Sequence, residues 1–439
     1  MTSPASPHGS RLDPWTRSYA QRTAGMTTSE IRALFAVASR PEVVSLAGGM
    51  PCLSALPMEA VADTVWQMLR TQGQTALQYG SGQGDPALRE QILDVMAVEG
   101  ISAHADDIVV TTGSQQALDL VTRIFIDPED VVLAEAPSYV GALGVFAAYQ
   151  ARVAHVASDD DGLIPQALQE RILGLQAQGE RIKFLYTVPN FHNPAGTTMS
   201  LKRRPQIIEI CHRHGILVLE DNPYGLLGFD REPYPALRTY SDEGVVYLGS
   251  FSKTFAPGLR VGWALAPHAI REKLVLASEA AILCPSAYSQ MTVSTYLATS
   301  DWMAQIKVYR ELYRERRDAM IDSLGALLPQ ATWTHPDGGF YVWLTLPEGL
   351  NTKAMLPRAV TERVAYVPGT AFYADGTGQR NVRLSYCYPD PDRIREGVRR
   401  FAAVVQSELE LLETFGPYDA SGSGSGPSTG VQFPAPDLS

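Results

Sequence analysis

The feature that most constrains this chain is a rhythm. Short β-branched, apolar runs alternate with stretches whose apolar positions recur at helical spacing. The runs fall at 108–112, 131–134, 152–156, 182–186, 216–219, 245–248 and 261–265. Runs that are apolar throughout, rather than at every second residue, predict strands covered on both faces. Strands alternating with helices predict parallel βαβ units. Between the first two runs, Ala117, Leu118, Val121, Ile124 and Phe125 share one helical face, which predicts a crossover helix. The fold class is α/β.

After about residue 290 the pattern changes. Residues 302–328 read as one long helix dense in Arg and Glu, followed by strand-like pieces at 340–343, 364–367 and 382–385, with Pro336-Asp337-Gly338-Gly339 as a turn. This predicts a smaller α+β domain. From Ala420 onward a Gly/Ser/Pro tail has too little apolar mass to offset its ordering entropy, and the first dozen residues are similar in kind. The expected organisation is a flexible N-terminus over 1–15, an arm over 16–50 that joins the small domain, a large domain over 51–295, a small C-terminal domain over 296–418 and a disordered tail over 419–439. A length of 439 residues accommodates this at roughly 150 residues per domain. No internal repeat interrupts it.

Composition removes several function classes. With 36 basic against 47 acidic residues the net charge is −11, the wrong sign for a general nucleic-acid binder. Cys52, Cys211, Cys284 and Cys387 are far apart and form no C-x-x-C pair, so neither a disulfide framework nor a zinc ribbon is expected. The start lacks a basic n-region followed by an apolar stretch, and nowhere do 18 apolar residues run together. A cytoplasmic protein off the membrane is the expectation. His212 and His214, two apart on a predicted helix, point away from each other, so no metal site is expected there. The loop from Gly80 to Gly84 lacks both a preceding apolar strand and the spacing of a dinucleotide fingerprint.

In an open parallel sheet, ligands bind beyond the carboxyl ends of the strands. Just past those ends stand Gly113-Ser114-Gln115, Ser138-Tyr139, Asn190-Phe191-His192-Asn193-Pro194, Glu220-Asp221-Asn222-Pro223-Tyr224 and Ser250-Phe251-Ser252-Lys253. A helix start, aromatic rings, an Asn, a carboxylate, hydroxyls and a lysine together suit an aromatic, phosphorylated, carbonyl-bearing ligand. A lysine at a buried strand end is rarely structural, because an unpaired ammonium there is costly.

These residues carry a resemblance. Ser250-x-Ser252-Lys253 followed by Pro257-Gly258-Leu259-Arg260-Val261-Gly262 resembles the coenzyme-lysine segment of the fold-type I, class I/II aminotransferases. Asn193-Pro194-x-Gly196, Glu220-Asp221-x-x-Tyr224 and Arg383-Leu384-Ser385 match the other family blocks in order. Ser29-x-Ile31-Arg32, Leu46-Ala47-Gly48-Gly49-x-Pro51, Gln78-Tyr79 and 112–118 resemble the subgroup of 2-aminoadipate and kynurenine/aminoadipate aminotransferases. The likeness runs from about Ser29 to about Phe401.

The resemblance implies a large domain with a mainly parallel seven-stranded sheet between helices, binding pyridoxal 5′-phosphate. It implies transfer of an amino group between an L-amino acid and a 2-oxo acid by a ping-pong mechanism. Lys253 would be the Schiff-base lysine and the proton carrier. Asp221 would keep the pyridine nitrogen protonated, with its neighbour Glu220 the competing choice that strand alternation turns to the other face. Asn193 and Tyr224 would hold the ring oxygen, and Tyr139 would stack on the ring. The helix start at Ser114 and Gln115, with Ser250, Ser252 and Arg260, would take the phosphate. Tyr79 would reach that phosphate from a partner subunit, which implies a homodimer with sites at its interface. Arg383 would grip the substrate carboxylate, with Asn193 and Gly49 beside it. Cis peptides are expected before Pro137 and Pro194.

Three other readings compete. The first is a lyase or oxidase of amino acids on the same fold and coenzyme. The second, a transcription regulator of this fold, would need a winged-helix domain, for which too few residues precede Ser29. The third, a nicotinamide oxidoreductase, lacks its phosphate fingerprint. Where the aminoadipate enzymes place a basic residue four positions before that Ser, this chain has Gly25, with Arg22 three residues further back. That departure points to a neutral, aromatic or basic substrate rather than an acidic one.

Overall fold

The computed structural model describes residues 15, 18–25, 40–230 and 232–416. The Ser29–Arg32 match and the tail after residue 418 lie outside the described residues. Strands are numbered in chain order: β1 Val44–Ser45, β2 Ile108–Thr112, β3 Val131–Ala136, β4 Arg152–Asp159, β5 Gly162–Leu163, β6 Ile182–Thr187, β7 Leu217–Asp221, β8 Val245–Ser250, β9 Val261–Leu265, β10 Thr332–Trp333, β11 Tyr341–Thr345, β12 Val364–Ala365, β13 Val367–Pro368 and β14 Asn381–Ser385.

The large sheet has the order β2-β9-β8-β7-β6-β3-β4-β5. Its seven expected strands are all present. The eighth, β5, is a two-residue antiparallel partner at the β4 edge. β3, β4, β6, β7 and β8 run parallel, while β9 is antiparallel to both of its neighbours. Alternate residues of one strand feed opposite cores, as a pleat requires. Val132 and Ala134 of β3 join Leu118, Val121, Phe146 and Phe184 on one face. Val131 and Leu133 join Leu168, Ile172, Leu185 and Ile207 on the other. Each fully buried Leu, Ile or Phe contributes about 1.5–3 kcal/mol relative to exposure, so both faces hold the sheet in place.

A second, antiparallel sheet has the order β10-β11-β14-β13, and β1 pairs in parallel with β12. The stretch at 364–367 is thus two short strands that serve different partners, with buried Tyr366 between them. Two long helices, Trp302–Leu327 and Pro391–Phe415, pack together over this sheet. Their shared core includes Tyr309, Tyr313, Met320, Phe340, Leu384, Val398 and Phe401. Each starts on an aspartate cap: Asp301 accepts from Ala304 N and Asp390 from Arg393 N. The helices Met58–Ala76, Pro86–Ala97 and Ala287–Thr299 add to those that the apolar spacing foretells.

The peptides before Pro137 and Pro194 are cis. Among the described residues, no helix is long and apolar enough to cross a membrane.

Candidate active site

The carboxyl ends of β2, β3, β6, β7 and β8 open on one cleft of about 390 Å³. Its walls bring together Ser114, Gln115, Tyr139, Asn193, Asp221, Tyr224, Ser250, Ser252, Lys253, Arg260 and Arg383, all named from the sequence. Gly49 and Met50 close it from the segment after β1. Tyr79 stands apart. It is 78% exposed in the loop after Met58–Ala76 and does not line the cleft.

At one end lies a cradle for an anion. Gly113 has φ +74° and caps the helix Ser114–Phe125, and an added Cβ would overlap the Arg260 guanidinium. The missing side chain lets that guanidinium approach a helix N-terminus. Arg260 Nη1 donates to Ser252 Oγ (3.4 Å) and Nη2 to the Thr112 carbonyl (3.4 Å). Ser252 N donates to Ser250 Oγ (3.0 Å). Backbone N–H groups, two hydroxyls and a forked cation converge where a phosphate would be held.

Lys253 projects from the turn after β8 into the middle of the cleft. Its Nζ donates to the Gly49 carbonyl (2.9 Å). Burial brings its pKa down to about 8, with the positive charges of Arg383 and Arg260 acting in the same direction against Cys387 and Asp221. A lysine so placed is largely an available amine under mildly alkaline conditions.

Asp221, the last residue of β7, accepts from the Tyr186 hydroxyl (2.8 Å) through Oδ2, while its buried Oδ1 has no hydrogen-bond partner within the protein. Burial pushes its pKa up to about 6, opposed by that hydroxyl and by Lys253. Its neighbour Glu220 faces the opposite way and accepts from Leu237 N (2.8 Å) and Arg238 N (2.9 Å). The bare oxygen therefore belongs to Asp221.

The small sheet supplies the far wall. Arg383 of β14 donates through Nη1 to Asn193 Oδ1 (2.9 Å) and through Nη2 to the Ala47 carbonyl (2.6 Å). Its Cζ sits 4.3 Å above the Tyr341 ring and 5.1 Å above the Phe372 ring, while its Nε has no partner. Tyr224 donates to the Tyr341 hydroxyl (3.4 Å). Burial, and then Tyr341, hold the Tyr224 phenol well above its usual range. On the helix side, Tyr139 OH donates to Gln115 Oε1 (3.3 Å), and burial pushes its pKa up to about 12.

Three participants are not evident from sequence patterns. Tyr186 is an apolar-run residue until β6 and β7 are laid side by side. Tyr341 comes from the other sheet, 117 residues from its partner Tyr224. Met50 lies in a segment whose tie to Lys253 is purely tertiary.

Comparison with known proteins adds the following. The family model for aminotransferase class I and II matches residues 41–401. An aromatic-amino-acid aminotransferase of Thermococcus litoralis is 40% identical over 396 residues, covering 89% of this chain and 95% of that protein. The crystal structure of a Pyrococcus horikoshii kynurenine aminotransferase, in complex with pyridoxamine phosphate, superposes with a TM-score of 0.87 at 37% identity, covering 91% of this chain and 100% of that one. The α-aminoadipate aminotransferase of Thermus thermophilus, solved with a phosphopyridoxyl-leucine, gives 0.84 at 35% identity, covering 90% and 99%. None of the three speaks for a lyase or an oxidase.

Proposed function

Since the chain belongs to the class I and II aminotransferases and uses pyridoxal phosphate to exchange an amino group between an amino acid and a 2-oxo acid, we propose that its donor carries an uncharged, apolar or aromatic side chain. The observation that carries this reading is the tally of cations in the cleft. Among the described residues lining it, the cations are Lys253, Arg260 and Arg383, and each has a task at the reacting end. None is left for a side-chain carboxylate, which would be costly to bury unpaired. Met50, Val140, Tyr139 and Tyr341 instead offer apolar and aromatic surface. Gly25, where related enzymes place a basic residue, agrees with this, as does the aromatic substrate class in the name of the Thermococcus relative.

The residues fit the coenzyme. The bare Asp221 Oδ1 suits a pyridine N–H, the Gly113–Arg260 cradle with Ser114, Gln115, Ser250 and Ser252 suits the phosphate, and Asn193 and Tyr224 suit the ring oxygen. When bound, pyridoxal phosphate supplies the electron-accepting ring that makes loss of an amino acid's α-proton feasible. The protein does the rest. Arg383 grips the α-carboxylate by its fork, and the Tyr341 face beneath keeps that fork level. Lys253, relieved of charge by burial, takes the α-proton and returns it. Asp221 keeps its proton-holding partner charged, with Tyr186 fixing which oxygen is free. Tyr139 covers one face of the cleft and limits water.

The enzyme works as a homodimer in which Tyr79 completes the partner's cradle. Its exposure beside Leu77, which is 76% exposed, supports this. The scattered free cysteines support a cytoplasmic setting. A panel of amino donors against several 2-oxo acids tests the substrate class: aromatic and aliphatic donors should lead, and a lead by glutamate or aminoadipate would overturn it. Mixing Tyr79→Ala with Lys253→Ala chains tests the dimer. Each mixed dimer regains one intact site, so activity should reappear on exchange of subunits, and its absence would remove Tyr79 from the site.

A further inference from the structure

We propose that Glu135 and His192 are positioning residues that hold Asn193, and through it Arg383, in place for the substrate carboxylate. Neither lines the cleft, and neither is used by the steps above. Both are buried, at 3% and 4% exposure, so their polar atoms need reasons to be there.

Glu135, near the end of β3, gathers three segments. Its Oε1 accepts from Thr187 Oγ1 (2.9 Å) at the end of β6, and its Oε2 accepts from Val188 N (2.9 Å). The same Oε2 lies 3.0 Å from His192 Nε2. His192 Nδ1 accepts from Ala195 N (3.2 Å), which leaves the ring proton on Nε2, close to the carboxylate but not aligned with it as a hydrogen bond. The backbone of His192 closes the same loop. Its N donates to the Thr197 carbonyl (2.8 Å), and its carbonyl accepts from Gly196 N (2.6 Å).

Asn193 therefore sits inside a loop whose two sides are tied by one imidazole, which lies against a carboxylate that is itself hydrogen-bonded to the strand end before the loop. Asn193 Oδ1 is the acceptor that fixes Arg383 Nη1. A shift of the loop would move the Arg383 fork, and a displacement of that kind acts on carboxylate binding before it acts on the proton transfer at Lys253. The pair also borders a second cavity of about 380 Å³, so shortened side chains there meet open space rather than packed atoms.

This inference rests on the reading of Arg383 as the carboxylate grip, and the test separates the two. In the full-length holoenzyme, His192→Ala and Glu135→Gln should each raise KM for the amino donor about tenfold, the scale of one charge-assisted hydrogen bond. The inhibition constant of a carboxylic acid that lacks the amino group should rise equally, while kcat stays within about threefold. Coupling is the second readout. In an Arg383→Lys background the His192→Ala increment should shrink, because both act on one contact. His192→Asn, which keeps an acceptor for Ala195 N–H, should recover part of the loss. If His192→Ala folds poorly, Glu135→Gln, which preserves volume, decides. Unchanged KM and inhibitor affinity in folded holoenzyme, or full additivity with Arg383→Lys, would overturn the inference. Should Arg383→Lys alone leave KM unchanged, the reading of Arg383 falls instead.

Discussion

Two buried polar regions lie back to back at the end of β7, and they differ in one respect. Behind the strand, Glu99 accepts from Asn222 Nδ2 (2.6 Å) and Tyr247 OH (2.8 Å), Asn190 donates to Asn222 Oδ1 (3.0 Å), and Arg204 donates to Asn190 Oδ1 (2.6 Å). Glu220 takes two backbone N–H groups on the same side. None of these side chains is left with an unmatched buried atom. In front, Asp221 Oδ1 and Arg383 Nε are both buried and both unmatched. Both regions are rich in charge and shielded from solvent, so burial alone does not separate them. A closed network of hydrogen bonds is architecture; an open one is addressed to something that comes and goes.

The sharpest way to break this contrast is at its front. Lys253→Ala removes the amine and should cut amino transfer by roughly 10⁴-fold or more, with loss of the coenzyme's bound visible absorbance. Substantial residual turnover would put the chemistry elsewhere.

Asp221→Asn comes next, with opposite effects on two measurements. Activity should fall about 10³-fold as the ring loses its charged partner. Stability of the coenzyme-free protein should rise. Because the folded pKa is raised from 3.8 to about 6, the contribution of Asp221 is fully present below about pH 4 and is lost as pH rises through 6. Removing the charge should restore up to about 3 kcal/mol near pH 7, read by chemical denaturation at pH 4 and pH 7. A substitution that destabilised the apoprotein at neutral pH would refute the idea that this carboxylate waits for a partner.

Behind the strand the expectation reverses. Glu220→Ala strands the Leu237 and Arg238 amides and should cost about 3 kcal/mol in apo and holo forms alike. The fraction that remains folded should keep kcat within about twofold, and a selective loss of turnover would erase the distinction between the two sides. Smallest is Tyr224→Phe, which removes one hydroxyl from the front. A fall of about fivefold in kcat/KM, with no change in melting temperature, is expected.

The sequence makes one kind of information plain and conceals another. The strands of the large sheet are legible because burial on both faces leaves nearly unbroken apolar runs, as in Val131–Ala136 and Val245–Ser250, and the second of these ends at Ser250 in the cleft. The helix Met58–Ala76 is less legible, because its sequence mixes polar residues into a largely exposed surface, with Trp66 at 61% exposure. Asp221 and Lys253 could be named from their motifs. Tyr186, Tyr341 and His192 could not, since what each does depends on a strand or loop brought alongside from far away in the chain. The split of 364–367 into two strands was hidden for the same reason, as its two halves answer to β1 and β14.

The Gly113–Arg260 interlock has a consequence for anyone wishing to repurpose this enzyme. Met50 and Val140 line the cleft outside that interlock, so a search for altered substrate preference starts there. Position 113 admits no such freedom, because any carbon beyond the backbone would displace the guanidinium. A mutational library should leave that glycine untouched and spend its diversity on Met50 and Val140.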